Sequence, residues 1–243
     1  MATFVLVHGA WAGSWVWKKI IPLLRAAGHE VHATTATGLG DRVHLAGPAV
    51  DLDTHITDVV NLLEFEELTE VTLVGWSYGG MIITGVAERV PDRLAGLVYL
   101  DALVPADGEN SYDAERSFED VRAYDRAAAD AAGMPGFLVV EPYVEWLGSL
   151  TLDPADRQWL LAKLVPQPLA TYTQPIRLGN PTAAGVPRAF VFCTEGKEAN
   201  DVFASTATRL RTAPEWRYRE LTDNHMAPIN APEATAEVIL SLT

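Results

Sequence analysis

The segment Val71-Thr72-Leu73-Val74-Gly75-Trp76-Ser77-Tyr78-Gly79-Gly80-Met81-Ile82 runs from a short apolar stretch into an apolar helical pattern through five residues of the form Gly-x-Ser-x-Gly. A strand that becomes a helix within so few residues commits the chain around it to strand–helix units, and so to an α/β architecture. The flanking sequence repeats the alternation. Phe4 to Val7, Glu30 to Ala36 and Leu94 to Leu100 read as further strands. Between them, Trp17 to Ala27 carries apolar residues at 17, 20, 21 and 24 with Gly28 as its stop. A second helix, from about Asp53 to Glu66, puts Ile56, Val59, Val60 and Leu63 on one face, and a third, Tyr78 to Arg89, is closed by Pro91. The strands are apolar throughout rather than at alternate residues, which predicts a parallel sheet covered by helices on both faces.

The rhythm breaks from about Val104 to Pro187, where most of the fifteen prolines fall and no clear strand is expected. It resumes with a strand at Ala189 to Cys193, a helix at Val202 to Arg211, a strand at Trp216 to Glu220, and a closing helix from Pro232 to Leu242 with proline in its first turn. The expected organisation is a core of residues 1–104 and 187–243, interrupted by a mainly helical cap, residues 105–186. Such a cap would lie over the sheet's C-terminal edge, where open α/β sheets bind ligands.

The strand-to-helix turn around Ser77 is sharp and holds its central residue in a strained backbone. Glycines two residues to either side avoid collisions with the neighbouring strand and helix. Ser77 is therefore the candidate nucleophile. The turn also places the Tyr78 N–H at a helix N-terminus, where it can donate to a developing oxyanion. A second donor is expected in the small-residue loop His8-Gly9-Ala10-Trp11-Ala12-Gly13-Ser14-Trp15, with Ala10 as the candidate and His8 read as ordering the loop. Among six histidines, His225 in Leu221-Thr222-Asp223-Asn224-His225-Met226-Ala227-Pro228 follows the last expected strand, a position suited to the base. The acid that would orient it has three candidates. Asp101 ends the apolar run Val98-Tyr99-Leu100 and is preferred, because a carboxylate there needs a partner. Glu198 and Glu195 lie in the usual place, after the penultimate strand.

Eighteen basic residues against 32 acidic ones give a net charge of −14, which disfavours nucleic acid and anionic membrane as partners. The one cysteine, Cys193, excludes an intrachain disulfide and sits in an apolar run that suggests a buried structural thiol. The N-terminus has no basic segment and enters a strand at once, and no run approaches the ~18–20 apolar residues of a membrane span. A cytoplasmic setting is expected. No H-E-x-x-H, P-loop or post-strand G-x-G-x-x-G occurs, so no metal and no other cofactor is expected. The expected partner is a small-molecule substrate and, at most, a second copy of the chain in a homodimer. Trp11, Trp15, Trp146 and Trp159 are candidates to line its pocket, Trp17 is expected in the core, and Asp41, Arg42 and His44 are expected in a solvated loop.

Phe4-Val5-Leu6-Val7-His8-Gly9-Ala10-Trp11, Gly75-Trp76-Ser77-Tyr78-Gly79-Gly80 and Leu97-Val98-Tyr99-Leu100-Asp101-Ala102 resemble the plant methylesterase and hydroxynitrile lyase family and its bacterial esterase relatives. The resemblance covers about residues 3–105 and 187–242 and is weak in the cap. It implies the α/β-hydrolase fold with a cap after the sixth-strand position, Ser77 as nucleophile, His225 as base, and the N–H groups of Ala10 and Tyr78 as the oxyanion hole. There are departures. Trp76 stands where family members usually have histidine, and the loop after the penultimate strand lacks the aspartate of the plant members. Ala10 and Met226 stand where the lyases carry a threonine and a lysine. Lyase chemistry needs a cation near the departing cyanide, so the expected activity is serine-dependent hydrolysis of small carboxylic esters or similar acyl or carbamate bonds. A lyase or other carbon–carbon cleaving enzyme, and a non-catalytic small-molecule receptor, are the alternatives.

Overall fold

The structure is a computed structural model that describes the backbone of residues 1–115, 119–197 and 201–242. Its strands are β1 Thr3–Val7, β2 Glu30–Thr34, β3 Val71–Trp76, β4 Leu94–Leu100, β5 Phe137–Leu138, β6 Gln167–Pro168, β7 Arg188–Cys193 and β8 Trp216–Leu221. Six of them form one sheet in the order β2-β1-β3-β4-β7-β8, every neighbouring pair parallel. Leu6 faces Val74, Val74 faces Val98, and Leu100 faces Val191, so the longest apolar runs lie side by side in the middle. β3 is buried along its whole length. The edge strand β8 alternates instead, with Trp216 and Tyr218 half-buried and Arg217 and Arg219 exposed, as a strand with one open side must.

The core helices are α1 Ile20–Ala26, α2 Leu52–Phe65 and α3 Gly79–Arg89, and further along the chain α10 Val202–Leu210, α11 Ala227–Asn230 and α12 Pro232–Leu240. The expected helix from Trp17 is divided. Ser14–Lys19 is a 3₁₀ helix, and regular α structure starts only at Ile20, with Pro22 in the first turn, where its missing N–H costs no helical bond. Asp51 caps α2 by accepting from the Thr54 N–H at 2.9 Å, while the Thr54 hydroxyl returns to the cap.

Between β4 and β7 the chain forms the short helices α4 Ser111–Ala114, α5 Glu119–Ala131, α6 Val144–Leu150, α7 Pro154–Leu161, α8 Ala170–Thr173 and α9 Pro181–Ala184. The insertion leaves the main sheet after β4, Leu94–Leu100. It is not free of strand: β5 and β6 pair antiparallel over two residues each, too short to leave a periodic signal in the sequence.

That small pair is built around Trp11, which joins core to cap. The Trp11 N–H donates to Gln167 Oε1 at 3.0 Å, its indole N–H donates to the Leu138 carbonyl at 3.0 Å, and its carbonyl accepts from the Val165 N–H at 3.0 Å. The fully buried Gln167 amide in turn donates to Thr171 Oγ1 at 2.7 Å. Among the described residues no helix is long and apolar enough to cross a membrane.

Candidate active site

The candidate residues gather at the C-terminal ends of parallel strands: Ala10 beyond β1, Ser77 and Tyr78 beyond β3, Asp101 beyond β4, Glu195 beyond β7 and His225 beyond β8. Ser77 has φ 57°, a left-handed conformation that costs an L-residue energy and persists only where the surroundings enforce it. The enforcement comes from packing. A Cβ at Gly75 would lie 2.7 Å from the Gly79 carbonyl oxygen, and one at Gly79 would lie 2.7 Å from the Val7 carbonyl oxygen, so only glycine lets β1, β3 and α3 meet this closely. The Ser77 carbonyl accepts from the N–H groups of Gly80 and Leu103 at 3.1 and 3.0 Å, which fixes the turn on both sides.

The base has one clear partner. His225 Nδ1 lies 2.7 Å from Asp101 Oδ2, and both side chains are buried. A carboxylate only accepts, so Nδ1 carries the proton and Nε2 keeps its lone pair. Asp101 is itself at φ 43° and fully buried; its Oδ1 accepts from the Cys193 N–H at 3.3 Å. Of the other acid candidates, Glu195 is exposed and uses its N–H to bond the Asp223 carbonyl at 2.9 Å. Glu198 lies outside the described residues. The loop after β7 contributes something else that the sequence reading missed: Lys197 Nζ sits 2.5 Å from Asp101 Oδ2, with only 7% of its side chain exposed.

Three aromatic rings confine the imidazole. Phe203 stacks on it at 4.8 Å between centroids, Trp76 is at 5.3 Å, and Trp146 from the cap is at 6.0 Å. Trp76 also donates its indole N–H to the His225 carbonyl at 2.9 Å. Neither the Ala10 nor the Tyr78 N–H has a backbone partner among the described residues, which leaves both available to an oxyanion beside Ser77. A Cβ at Gly9 would lie 3.0 Å from Ser77 Cβ, so the loop carrying Ala10 is pressed against the nucleophile. His8 takes the ordering role read from the sequence: Nε2 accepts from the Ala36 N–H at 3.1 Å and Nδ1 donates to the Gly9 carbonyl at 2.7 Å. Burial pushes its pKa down to about 4, so it is neutral at pH 7.

A cavity of about 310 Å³ opens on this constellation. Ala10, Ser77 and His225 line it with Trp11, Trp76 and Trp146, and Tyr112, Tyr143 and Asp125 close its cap side. Burial holds the Tyr112 and Tyr143 hydroxyls protonated, and they donate to the two oxygens of buried Asp125 at 2.8 and 2.6 Å. Trp15 and Trp159 do not line the cavity but pack edge-on against each other at 5.1 Å. Trp17 is fully buried, Asp41 and His44 are exposed, and Arg42 pairs with Asp58 at 3.0 Å. Cys193 is fully buried, and that burial raises its thiol pKa well above the usual range. Among the described residues no group of three or more His, Cys, Asp or Glu side chains could hold a metal ion.

A nucleophile elbow, a histidine–aspartate pair and an oxyanion loop, carried on the C-terminal edge of a parallel sheet, define a hydrolase of the serine type. Residues 4–238 match the alpha/beta hydrolase family, and the chain belongs to it. Over its full length it is 37% identical to the whole of the carbendazim hydrolyzing esterase of Nocardioides sp. (strain SG-4G). It is 30% identical to methylesterase 1 of Arabidopsis thaliana, over 93% of this chain and 84% of that protein. An extracellular alpha/beta-hydrolase from a Paenibacillus species has the same fold, with a TM-score of 0.85 at 23% identity, covering 100% of this chain and 99% of that one. The chain is an ester-hydrolysing enzyme.

Proposed function

We propose that the enzyme cleaves small carboxylic esters, or carbamates of similar size, through an acyl-enzyme formed on Ser77. The observation that carries this reading is the Asp101–His225 pair at 2.7 Å in the wall of the cavity that Ser77 also lines. Ser77 Oγ attacks the carbonyl carbon while His225 Nε2 takes its proton, and the N–H groups of Ala10 and Tyr78 receive the oxyanion. His225 then returns the proton to the leaving alcohol. Water deacylates the serine by the same steps in reverse roles, and a carbamoyl group follows the same course. A cavity of about 310 Å³ is at the small end of ligand sites, and its wall, rich in aromatic side chains, favours a compact, partly apolar substrate. The full-length likeness to a carbendazim hydrolyzing esterase and the likeness to a methylesterase support the same substrate class. A reducing, cytoplasmic setting is part of the proposal and is supported by the single buried thiol.

The test is a panel of methyl, aryl and carbamoyl esters assayed with the native enzyme and with Ser77→Ala. Turnover on compact members, lost by on the order of 10⁴-fold or more in the variant with unchanged circular dichroism, is the expected result. Normal turnover by Ser77→Ala would remove the nucleophile from the proposal.

A further inference from the structure

The Asp101 carboxylate does not serve His225 alone. Oδ2 accepts from His225 Nδ1 at 2.7 Å and from Lys197 Nζ at 2.5 Å, so one oxygen holds both donors. Asp101 is 0% exposed and the Lys197 side chain 7% exposed, so this is a buried ion pair and not a surface one. Lys197 has a second, longer contact, to Asp201 at 3.7 Å, but Asp201 already caps α10 through the N–H groups of Phe203 and Ala204 at 2.8 and 3.1 Å. The ammonium also lies over the Phe203 ring, 4.5 Å from its centroid, and that ring stacks on the imidazole itself. Lys197 is therefore tied to the base by two routes, through the carboxylate and through the stacked ring. It is not among the residues lining the cavity, so it acts behind the site and does not touch substrate.

We propose that Lys197 is a positioning residue for the catalytic step: its charge holds the buried Asp101 carboxylate in place and aimed at His225 Nδ1. The loop after β7, read from sequence as the place for an acid, supplies instead the counter-charge to an acid that has moved to β4. A carboxylate with no solvent and no cation would have to be neutralised or turned away, because burying an unpaired charge is costly. Either outcome would weaken the bond that fixes the imidazole tautomer. Other charged groups near the pair are Asp201, which also lines the cavity, and Asp223, which acts with Asp101 and Lys197 on the buried Cys193 thiol. Both remain in every variant below.

The inference rests on the reading of Asp101 as the acid, and the experiment separates the two. Four variants are compared: Lys197→Met, Lys197→Gln, Lys197→Arg and Asp101→Asn. The Met and Gln variants should lose kcat by up to roughly 10²-fold, the scale of a catalytic group displaced by about 1 Å. KM should move much less, and Arg should restore most of kcat. Gln keeps an N–H donor and so keeps the site folded if Met does not. The second readout is the low-field proton resonance of His225 Nδ1–H, assigned by its loss in His225→Gln. It should shift or broaden in the Met and Gln variants and persist in Arg, which a purely structural role would not produce in a folded protein. Native kcat and an unmoved resonance in folded Lys197→Gln, with Asp101→Asn inactive, would overturn the role of Lys197 alone. Native kcat in Asp101→Asn would overturn the acid assignment, and the Lys197 proposal with it.

Discussion

The indole N–H of Trp76 donates to the backbone carbonyl of His225 at 2.9 Å, joining the residue before the proposed nucleophile to the proposed base. The two are 149 positions apart in the chain. The bond ties the end of β3 to the loop after β8. Trp76→Phe keeps the ring against His225 but removes the donor. A net hydrogen bond is worth about 1 kcal/mol, which lowers Tm by roughly 2–4 °C in a chain of this size. The expected kinetic effect is a fall in kcat larger than the rise in KM, although Trp76 also lines the cavity and the smaller ring opens part of its wall. A variant with raised KM and native kcat would assign Trp76 to the pocket rather than to the base.

The acid is tested by three amide substitutions. Asp101→Asn should lower turnover by roughly 10²–10⁴-fold, since the imidazole loses both its fixed tautomer and its charge partner. Glu195→Gln should cost little, because Glu195 is exposed and contributes to the site through its backbone. Glu198→Gln completes the set. The three turnover numbers are read with thermal midpoints, because Asp101 also accepts from the Cys193 N–H and its loss has a structural part. Collapse of a glutamate variant with Asp101→Asn half-active or better would return the acid to the loop after β7.

Ser77, His225 and Asp101 were legible as candidates because each sits at a boundary that sequence marks well. Ser77 lies between an apolar strand and an apolar helix, His225 lies between the last strand and the last helix, and Asp101 ends a run that has no other charge. Trp76 and Lys197 were not legible, because their roles depend on partners 149 and 96 positions away and on burial that no local pattern announces. A lysine between two glutamates, as in Thr194-Glu195-Gly196-Lys197-Glu198, reads as a solvated loop until the fold turns it inward. The β5–β6 pair escaped for a different reason. Two residues per strand carry no period, and its anchor is Trp11 in the core, not anything in the cap.

That anchor can be loosened. Gln167→Leu leaves the Trp11 N–H buried without its acceptor, an omission worth about 1–3 kcal/mol and so several degrees in Tm. Trp11 lines the cavity, so KM should rise more than kcat falls. Thermal melts and steady-state kinetics on one ester decide it; an unchanged KM would mean that the cap holds its place by apolar packing alone.

The reaction class is checked with mandelonitrile-type cyanohydrins. Met226, where the lyases carry a lysine, is fully buried and does not line the cavity, and Ala10 offers no hydroxyl. The cation that is near the base, Lys197, is held behind Asp101 and away from the cavity. Among the described residues, departing cyanide therefore meets no cation in the cavity wall. Cyanide release should be negligible beside ester turnover, and release at a comparable rate would place the enzyme with the lyases.

Two histidines away from the chemistry control how the fold responds to acid. His8 and His55 are fully buried, and desolvation pushes each pKa from 6.5 down to about 4. His55 Nε2 donates to the Thr37 carbonyl at 2.9 Å, and Nδ1 lies 3.0 Å from the Tyr78 hydroxyl, so the ring is held neutral between β3 and the loop after β2. The unfolded chain binds protons at these rings below about pH 6.5, while the folded chain does not until about pH 4. Stability from this source is thus whole above pH 6.5, falls as pH drops through that window, and levels off below about 4. Each ring contributes at most roughly 3 kcal/mol. The measurement is the free energy of denaturant unfolding from pH 7.5 to 4.5, in the native chain and in His55→Gln, which keeps a donor and an acceptor but cannot charge. The native chain should take up close to two protons more on unfolding near pH 5 from these rings, and His55→Gln one fewer, giving it a shallower slope. Equal slopes would mean that His55 becomes protonated inside the folded protein as readily as in water, against the burial that the structure gives it.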